Sequence, residues 1–137
     1  ADALGWPTAK LRQAWKGRGS QPFLAALVLS GRLCPVHRGH LEALRLAREC
    51  LERKGFAVVG EWLSPWHDLH MQQEDLRSSF RVHLAGLATR GEALVEVGAW
   101  ESLKRPSAPG PQPNPEEPAR ALLEALCAIF PLERDWL

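Results

Sequence analysis

No apolar run in the chain approaches the ~20 residues that a membrane-spanning helix needs, so a helical spanning protein is excluded. Cysteine is sparse: Cys34, Cys50 and Cys127 are odd in number and widely spaced, and no Cys-x-x-Cys pair occurs. That pattern argues against a disulfide scaffold. There is no internal repeat. A surplus of one charge is also missing, since the net charge is only +1. A nucleic-acid binder usually carries a dense basic stripe, and none is present. What remains is a single-domain composition: 137 residues, 15.2 kDa, 45% hydrophobic and 24% charged. A body of that mass can bury about two-thirds of the surface its unfolded chain exposes.

The small net charge hides an asymmetry. Residues 1–54 carry 10 Lys and Arg against 4 Asp and Glu, while the remainder carries 7 against 12. A basic first half suits a phosphorylated small molecule or an acidic partner surface. The chain begins at Ala1. Up to Pro22 it holds Lys10, Arg12, Lys16 and Arg18 with only Asp2 opposing. A leader of transit type removed before Ala1 would leave such an end and would point to a mitochondrion. The compartment is otherwise open.

Residues 1–21 read as a basic extension with at most one short helix, in which Trp6 and Trp15 are anchors for some surface. Residues 22–105 read as the core. The apolar run Phe23–Leu29 has the pattern of a strand buried on both faces of a parallel sheet. Leu41, Leu44, Ala47, Cys50 and Leu51 then recur at helical spacing, and Gly55 closes that helix as a left-handed cap. Phe56–Leu63 is a second strand. Glu74–Thr89 is a second helix, with Leu76, Phe80, Leu84, Leu87 and Ala88 inward, and Ala93–Val97 is a third strand. The order β-α-β-α-β predicts an α/β fold, a Rossmann-like half of a doubly wound parallel sheet. Between Pro106 and Pro118 six prolines fall in thirteen residues, so 106–118 reads as an extended linker. A C-terminal helix occupies residues 119–137, its helical pattern running from Glu117 to Phe130 with Leu122, Leu123, Leu126 and Ile129 on one face.

The chemistry concentrates in Gly31-Arg-Leu-Cys-Pro-Val-His-Arg-Gly-His40, where the first strand hands over to the first helix of the core. Ligands of open α/β sheets bind at this carboxyl edge. A helix N-terminus there offers free N–H groups and partial positive charge, so phosphate is its natural ligand. His37 and His40 are three apart and can both address one anion. Gly31 and Gly39 let a ligand approach the backbone. Bland readings stand beside these. Trp62 and Trp66 read as packing residues, His67 and Asp68 as a local turn, and Arg81 as a structural salt bridge. Cys34, His37 and His40, with His67 and His70, also have spacing that zinc accepts, a minor alternative.

This stretch resembles the His-x-Gly-His signature of the nucleotidyltransferase superfamily, with Gly31, Pro35, His37, Gly39 and His40 matching and Arg32, Leu33 and Cys34 departing. Gly60-Glu-Trp-Leu-Ser-Pro-Trp-His-Asp68 resembles the Gly-x-x-Ser-Pro-x-x-Asp block of eukaryotic-type nicotinamide or nicotinic acid mononucleotide adenylyltransferases. Arg81-Val82, Leu87-Ala88-Thr89 and Val95-Glu-Val-Gly-Ala-Trp-Glu-Ser102 continue in register. The four blocks cover a little over half the chain. The resemblance implies attack of a mononucleotide phosphate on the α-phosphate of ATP, usually with magnesium, giving a dinucleotide and pyrophosphate. It implies His37 and His40 as catalytic residues on the ATP phosphates, and Gly31, Arg32, Gly39 and Ser64 as nucleotide and phosphate contacts. It places Trp100 on the pyridine ring with Glu101 beside it, and no resident metal site.

Two departures set the expectation. The family's lysine-rich run falls on Met71, Gln72 and Gln73, and nothing between Pro106 and Leu137 resembles the family's Gly-x-Asp and Ser-x-Thr-x-x-Arg segments. The first reading is therefore a truncated, non-catalytic adenylyltransferase-like domain serving as a structural or binding subunit of a larger assembly. Its six tryptophans suit docking on other protein subunits. The alternative is an active enzyme that makes NAD and pyrophosphate from ATP and nicotinamide mononucleotide.

Overall fold

A computed structural model describes residues 5–16, 23–106 and 112–129. Helix α1 spans Ala9–Lys16, strand β1 Leu24–Gly31, helix α2 Arg38–Arg53 and strand β2 Ala57–Pro65. A 3-10 turn covers Asp68–His70. Helix α3 follows over Ser78–Ala88, strand β3 over Val95–Val97, the short helix α4 over Trp100–Leu103 and helix α5 over Glu116–Ile129. The three strands are parallel in the order β1-β2-β3, so β2, buried at every residue, is central. This is the expected Rossmann-like α/β half-fold. Gly55 follows α2 at φ +93, the left-handed cap its position called for.

Both crossovers step in the same direction, which places their helices on one face. There Leu33, Leu44, Leu63, Ala85 and Val95 form one core. The opposite face is covered from outside the β-α-β-α-β unit. Trp6, Leu11, Leu24, Ala57, Val59 and Trp62 pack there with Leu122, Ala125 and Leu126 of α5. The described part of the basic extension is thus built into the fold. Trp6 and Leu11 are essentially inaccessible, and the Trp62 indole N–H donates to the Pro7 carbonyl at 2.8 Å. The surface that Trp6 anchors to includes Gly98, where an added Cβ would lie 2.3 Å from the indole. The Trp15 side chain and the end of the C-terminal segment lie outside the described residues.

A bulge in β2 decides which side chain faces which core. Ala25 pairs with Val58 but Ala26 with Gly60, so Val59 is an extra residue. After it, Trp62 joins Ala57 and Val59 on the α1/α5 face, while Leu63 turns to the α2/α3 face.

Three expectations are corrected. Helix α3 starts at Ser78, four residues later than the pattern implied, and buries Arg81 and Ala85. Phe80 and Leu87 are 49% and 42% exposed, and Ala88 is exposed too. The inward stripe is rotated because the Arg81 guanidinium must reach carbonyls beneath the helix. In α5, Leu123 is exposed while Ala125 is buried. Residues 107–111 lie outside the described part, but α5 already includes Pro118, whose missing N–H falls in a first turn that has no partner to lose. The Asn114 side chain caps that turn, accepting the Glu116 N–H at 3.0 Å.

Candidate phosphate-binding site

The loop from β1 to α2 leaves the sheet at Gly31. Leu33 adopts the left-handed conformation, φ 48, and its side chain is fully buried. That backbone costs an L-residue roughly 1–2 kcal/mol, which burial of the leucine offsets. His37 is the N-cap of α2. Its Nδ1 accepts the Gly39 N–H at 3.0 Å, and the Nδ1 of His40 accepts the His37 N–H at 3.0 Å. This is a capping box built from two imidazoles instead of a hydroxyl and a carboxylate. The rings stack with centroids 3.9 Å apart. Gly39 is required by that packing, because a Cβ there would sit 2.8 Å from the His37 ring.

The capping bonds set the tautomer. A neutral imidazole that accepts at Nδ1 carries its proton on Nε2. Both rings therefore present an Nε2–H donor at the positive end of α2. Burial, together with the neighbouring His37, holds the His40 pKa below its usual value. His40 is thus uncharged near neutrality and acts through a hydrogen bond rather than net charge.

At the carboxyl ends of β1 and β2, Ser30 and Ser64 are register partners. Ser64 donates to Glu101 Oε1 at 2.8 Å, Ser30 donates to both oxygens of Glu101 at 2.8 and 2.9 Å, and the Trp66 indole N–H donates to Ser30 at 3.1 Å. Burial pushes the Glu101 carboxyl up, against the two serine hydrogen bonds. Trp100 stacks on Trp6 at 6.2 Å, and Lys104 Nζ lies 4.8 Å from its ring centroid. Among the described residues, no hydrogen bond or ring contact joins the Ser64–Glu101 cluster to the histidine pair.

The two loops above the sheet are tied by Arg81. Its fully buried guanidinium donates to the carbonyls of Leu76 at 2.8 Å, Arg32 at 2.9 Å and Trp66 at 2.8 Å, and to Asp68 Oδ1 at 2.9 Å. Asp68 also accepts the Ser78 N–H at 2.7 Å. Although burial raises the Asp68 carboxyl, the hydrogen bonds from Arg81 and Ser78 hold it below its usual range. His67 accepts the Leu69 N–H at 3.0 Å, the local turn its position suggested. The exposed Arg32 pairs with Asp75 at 2.8 Å. Met71, Gln72 and Gln73 bring no cation, and the Gln72 N–H is itself spent on Asp75 at 2.7 Å.

Of the site residues expected from the sequence, the structure brings His37, Gly39 and His40 together, and separately Ser64, Trp100 and Glu101. Gly31 ends β1 between Leu29 and Leu33, and a Cβ there would meet nothing closer than 3.6 Å. Ser30 and Asp75 were missed. Ser30 could have been found from its position, one residue before Gly31 just as Ser64 precedes Pro65. Asp75 carried no sequence signal. Cys34 accepts the Leu76 N–H at 3.4 Å, and among the described residues no group of three or more His, Cys, Asp or Glu is placed to hold a metal.

A parallel α/β half-sheet with paired histidines capping the helix after its first strand defines an adenylyltransferase-like nucleotide-binding domain. No family model matches the chain. Among curated proteins it is similar to the nicotinamide/nicotinic acid mononucleotide adenylyltransferase of Oryza sativa subsp. japonica, with 30% identity over 102 residues, 74% of this chain and 41% of that protein. It is 32% identical over 76 residues to nicotinamide/nicotinic acid mononucleotide adenylyltransferase 2 of Xenopus tropicalis, covering 55% of this chain and 25% of that protein. With nicotinamide/nicotinic acid mononucleotide adenylyltransferase 1 of Bos taurus it shares 31% identity over 87 residues, 63% and 31% of the two chains. The chain belongs to the nicotinamide/nicotinic acid mononucleotide adenylyltransferase family, and the match spans between 25% and 41% of the length of these relatives.

Proposed function

We propose that this chain binds nucleotide phosphates at the start of α2 and holds them without turning them over. One observation carries the reading: His37 and His40 commit their Nδ1 atoms to backbone N–H groups and keep two Nε2–H donors at the positive end of a 16-residue helix. Phosphate oxygens match such donors. The relatives are named as adenylyltransferases of a mononucleotide, so the ligands to try are ATP and nicotinamide mononucleotide. Magnesium would arrive on the ATP phosphates, since the described residues bring together no metal-holding group of their own.

Turnover would form a bond between the mononucleotide phosphate and the α-phosphorus of ATP and break the bond to pyrophosphate. The protein's task is to neutralise charge on the transferring group. The state of the other polar groups supports binding without that step. Arg32 is paired with Asp75, Ser30 and Ser64 are spent on Glu101, and positions 71–73 hold no cation. On this reading the missing positive charge comes from a partner subunit. An enzyme active alone is the second reading, favoured by the intact histidine pair.

The test combines calorimetric titration of magnesium-ATP with a coupled assay for NAD. The proposal expects saturable ATP binding that His40→Ala weakens by about tenfold, the loss of one charge-assisted hydrogen bond, and no NAD. NAD formation that vanishes in His40→Ala establishes the second reading. Absence of ATP binding by a well-folded chain refutes both.

A further inference from the structure

A groove of about 590 Å³ lies along the side of α2 against β2 and the loop before β3. Leu41 and Val95 supply apolar lining, and Glu61 and Arg48 lie at its inner wall. The Glu61 side chain is completely buried. One oxygen pairs with Arg48, but Oε1 has no hydrogen-bond partner. A stranded buried acceptor of this kind costs about 1–3 kcal/mol, so it is rare without a use. The β2 bulge is what puts it there. By parity with Ala57 and Val59, an unbulged β2 would turn Glu61 into the Trp6 core.

The rim adds two more charges. Glu92 and Arg38 line the groove, and among the described residues neither side chain makes a hydrogen bond or ion pair. Arg45 and Glu42 neutralise each other, so they add no free charge. Burial raises the Glu61 carboxyl, opposed by Arg48 and reinforced by Glu92. A bound cationic donor would relieve both the unpartnered oxygen and the repulsion between these carboxylates.

We infer that this groove binds a small zwitterion, its ammonium group drawn to the Glu61 and Glu92 carboxylates, its alkyl part on Leu41 and Val95, and its anionic end toward Arg38. The site adjoins the start of α2 through Arg38 but uses neither histidine, and probes without phosphate distinguish its failure from failure of phosphate binding. The test is an NMR titration of the isotopically labelled 137-residue chain with 6-aminohexanoate, n-hexylamine and hexanoate in parallel. The expected result is saturable shifts at the amides of Leu41, Glu92 and Val95 with 6-aminohexanoate, weaker binding of hexylamine, and none of hexanoate. Glu92→Gln leaves the Arg48–Glu61 pair intact and should weaken 6-aminohexanoate about fivefold. Glu61→Gln, with its fold checked from the amide spectrum, should weaken it further. Hexanoate binding as well as the amino acid, hexylamine binding as tightly, no saturation by any probe, or indifference to Glu92→Gln would each overturn the inference.

Discussion

Arg81→Met is the most demanding perturbation, because one side chain closes the loops after both β1 and β2. The methionine preserves much of the volume and removes every donor. Three carbonyls, those of Leu76, Arg32 and Trp66, lose a partner, and Asp68 loses its closest cation. A stranded buried acceptor costs roughly 1–3 kcal/mol. Loop carbonyls regain some water, which argues for the low end, about 1 kcal/mol each. The Asp68 side chain is 30% exposed, so its pair adds only about 1 kcal/mol. The total is about 4 kcal/mol, within the 3–5 kcal/mol typical of breaking a buried pair from one side. Domains of this kind have only about 5–15 kcal/mol in all. In urea, with a slope near 1.5 kcal/mol per molar, the midpoint should fall by more than about 2 M. Arg77→Met is the control. Its guanidinium is 48% exposed and 4.0 Å from Asp68, so it should cost under about 1 kcal/mol. If the two variants unfold at midpoints within 0.3 M, roughly the spread of such measurements, the clamp assigned to Arg81 is refuted.

Other consequences can be checked with simpler experiments. Gly98→Ala drives a methyl into the Trp6 indole and should cost about 1–3 kcal/mol by thermal or urea unfolding. Gly39→Ala should displace the His37 ring, losing about 1 kcal/mol of capping energy and most of the ATP affinity in the same calorimetric titration. Because the folded-state pKa of His40 is depressed, its contribution to stability is whole above the unfolded value near 6.5 and is lost as the pH falls through the folded value. NMR titration of the imidazole should place its midpoint below 6.5 in the free protein and higher with phosphate bound. Asp68 behaves likewise at lower pH: its stabilisation is present above about pH 4 and disappears as the pH drops through its folded value, which unfolding curves of Asp68→Asn should lack.

The strands and the first long helix were legible because continuous apolar runs and a clean helical period survive in one dimension. The histidine pair was legible too, because its spacing alone places both rings on one turn. What could not be read was any inward face set by a polar group. Arg81 takes the inward position in α3 that Phe80 and Leu87 appeared to claim, since its carbonyl partners come from loops 5 to 49 residues away. The burial of Trp6 was hidden for a similar reason. Residues 5–16 look like a polar extension until Gly98 and Trp62 are brought beneath them. The pairing of Ser64 with Glu101 depends on β2 and α4 meeting, across 37 positions in the chain.

The single extra residue in β2 makes the central strand a counting device. Side chains before Val59 are assigned to a face by one parity and those after it by the other. Deleting Val59 would restore plain alternation and leave Trp62 and Leu63 on their present faces; pairing the intact strand without its bulge would instead exchange the contents of two cores, sending Trp62 against α2 and Leu63 against α5.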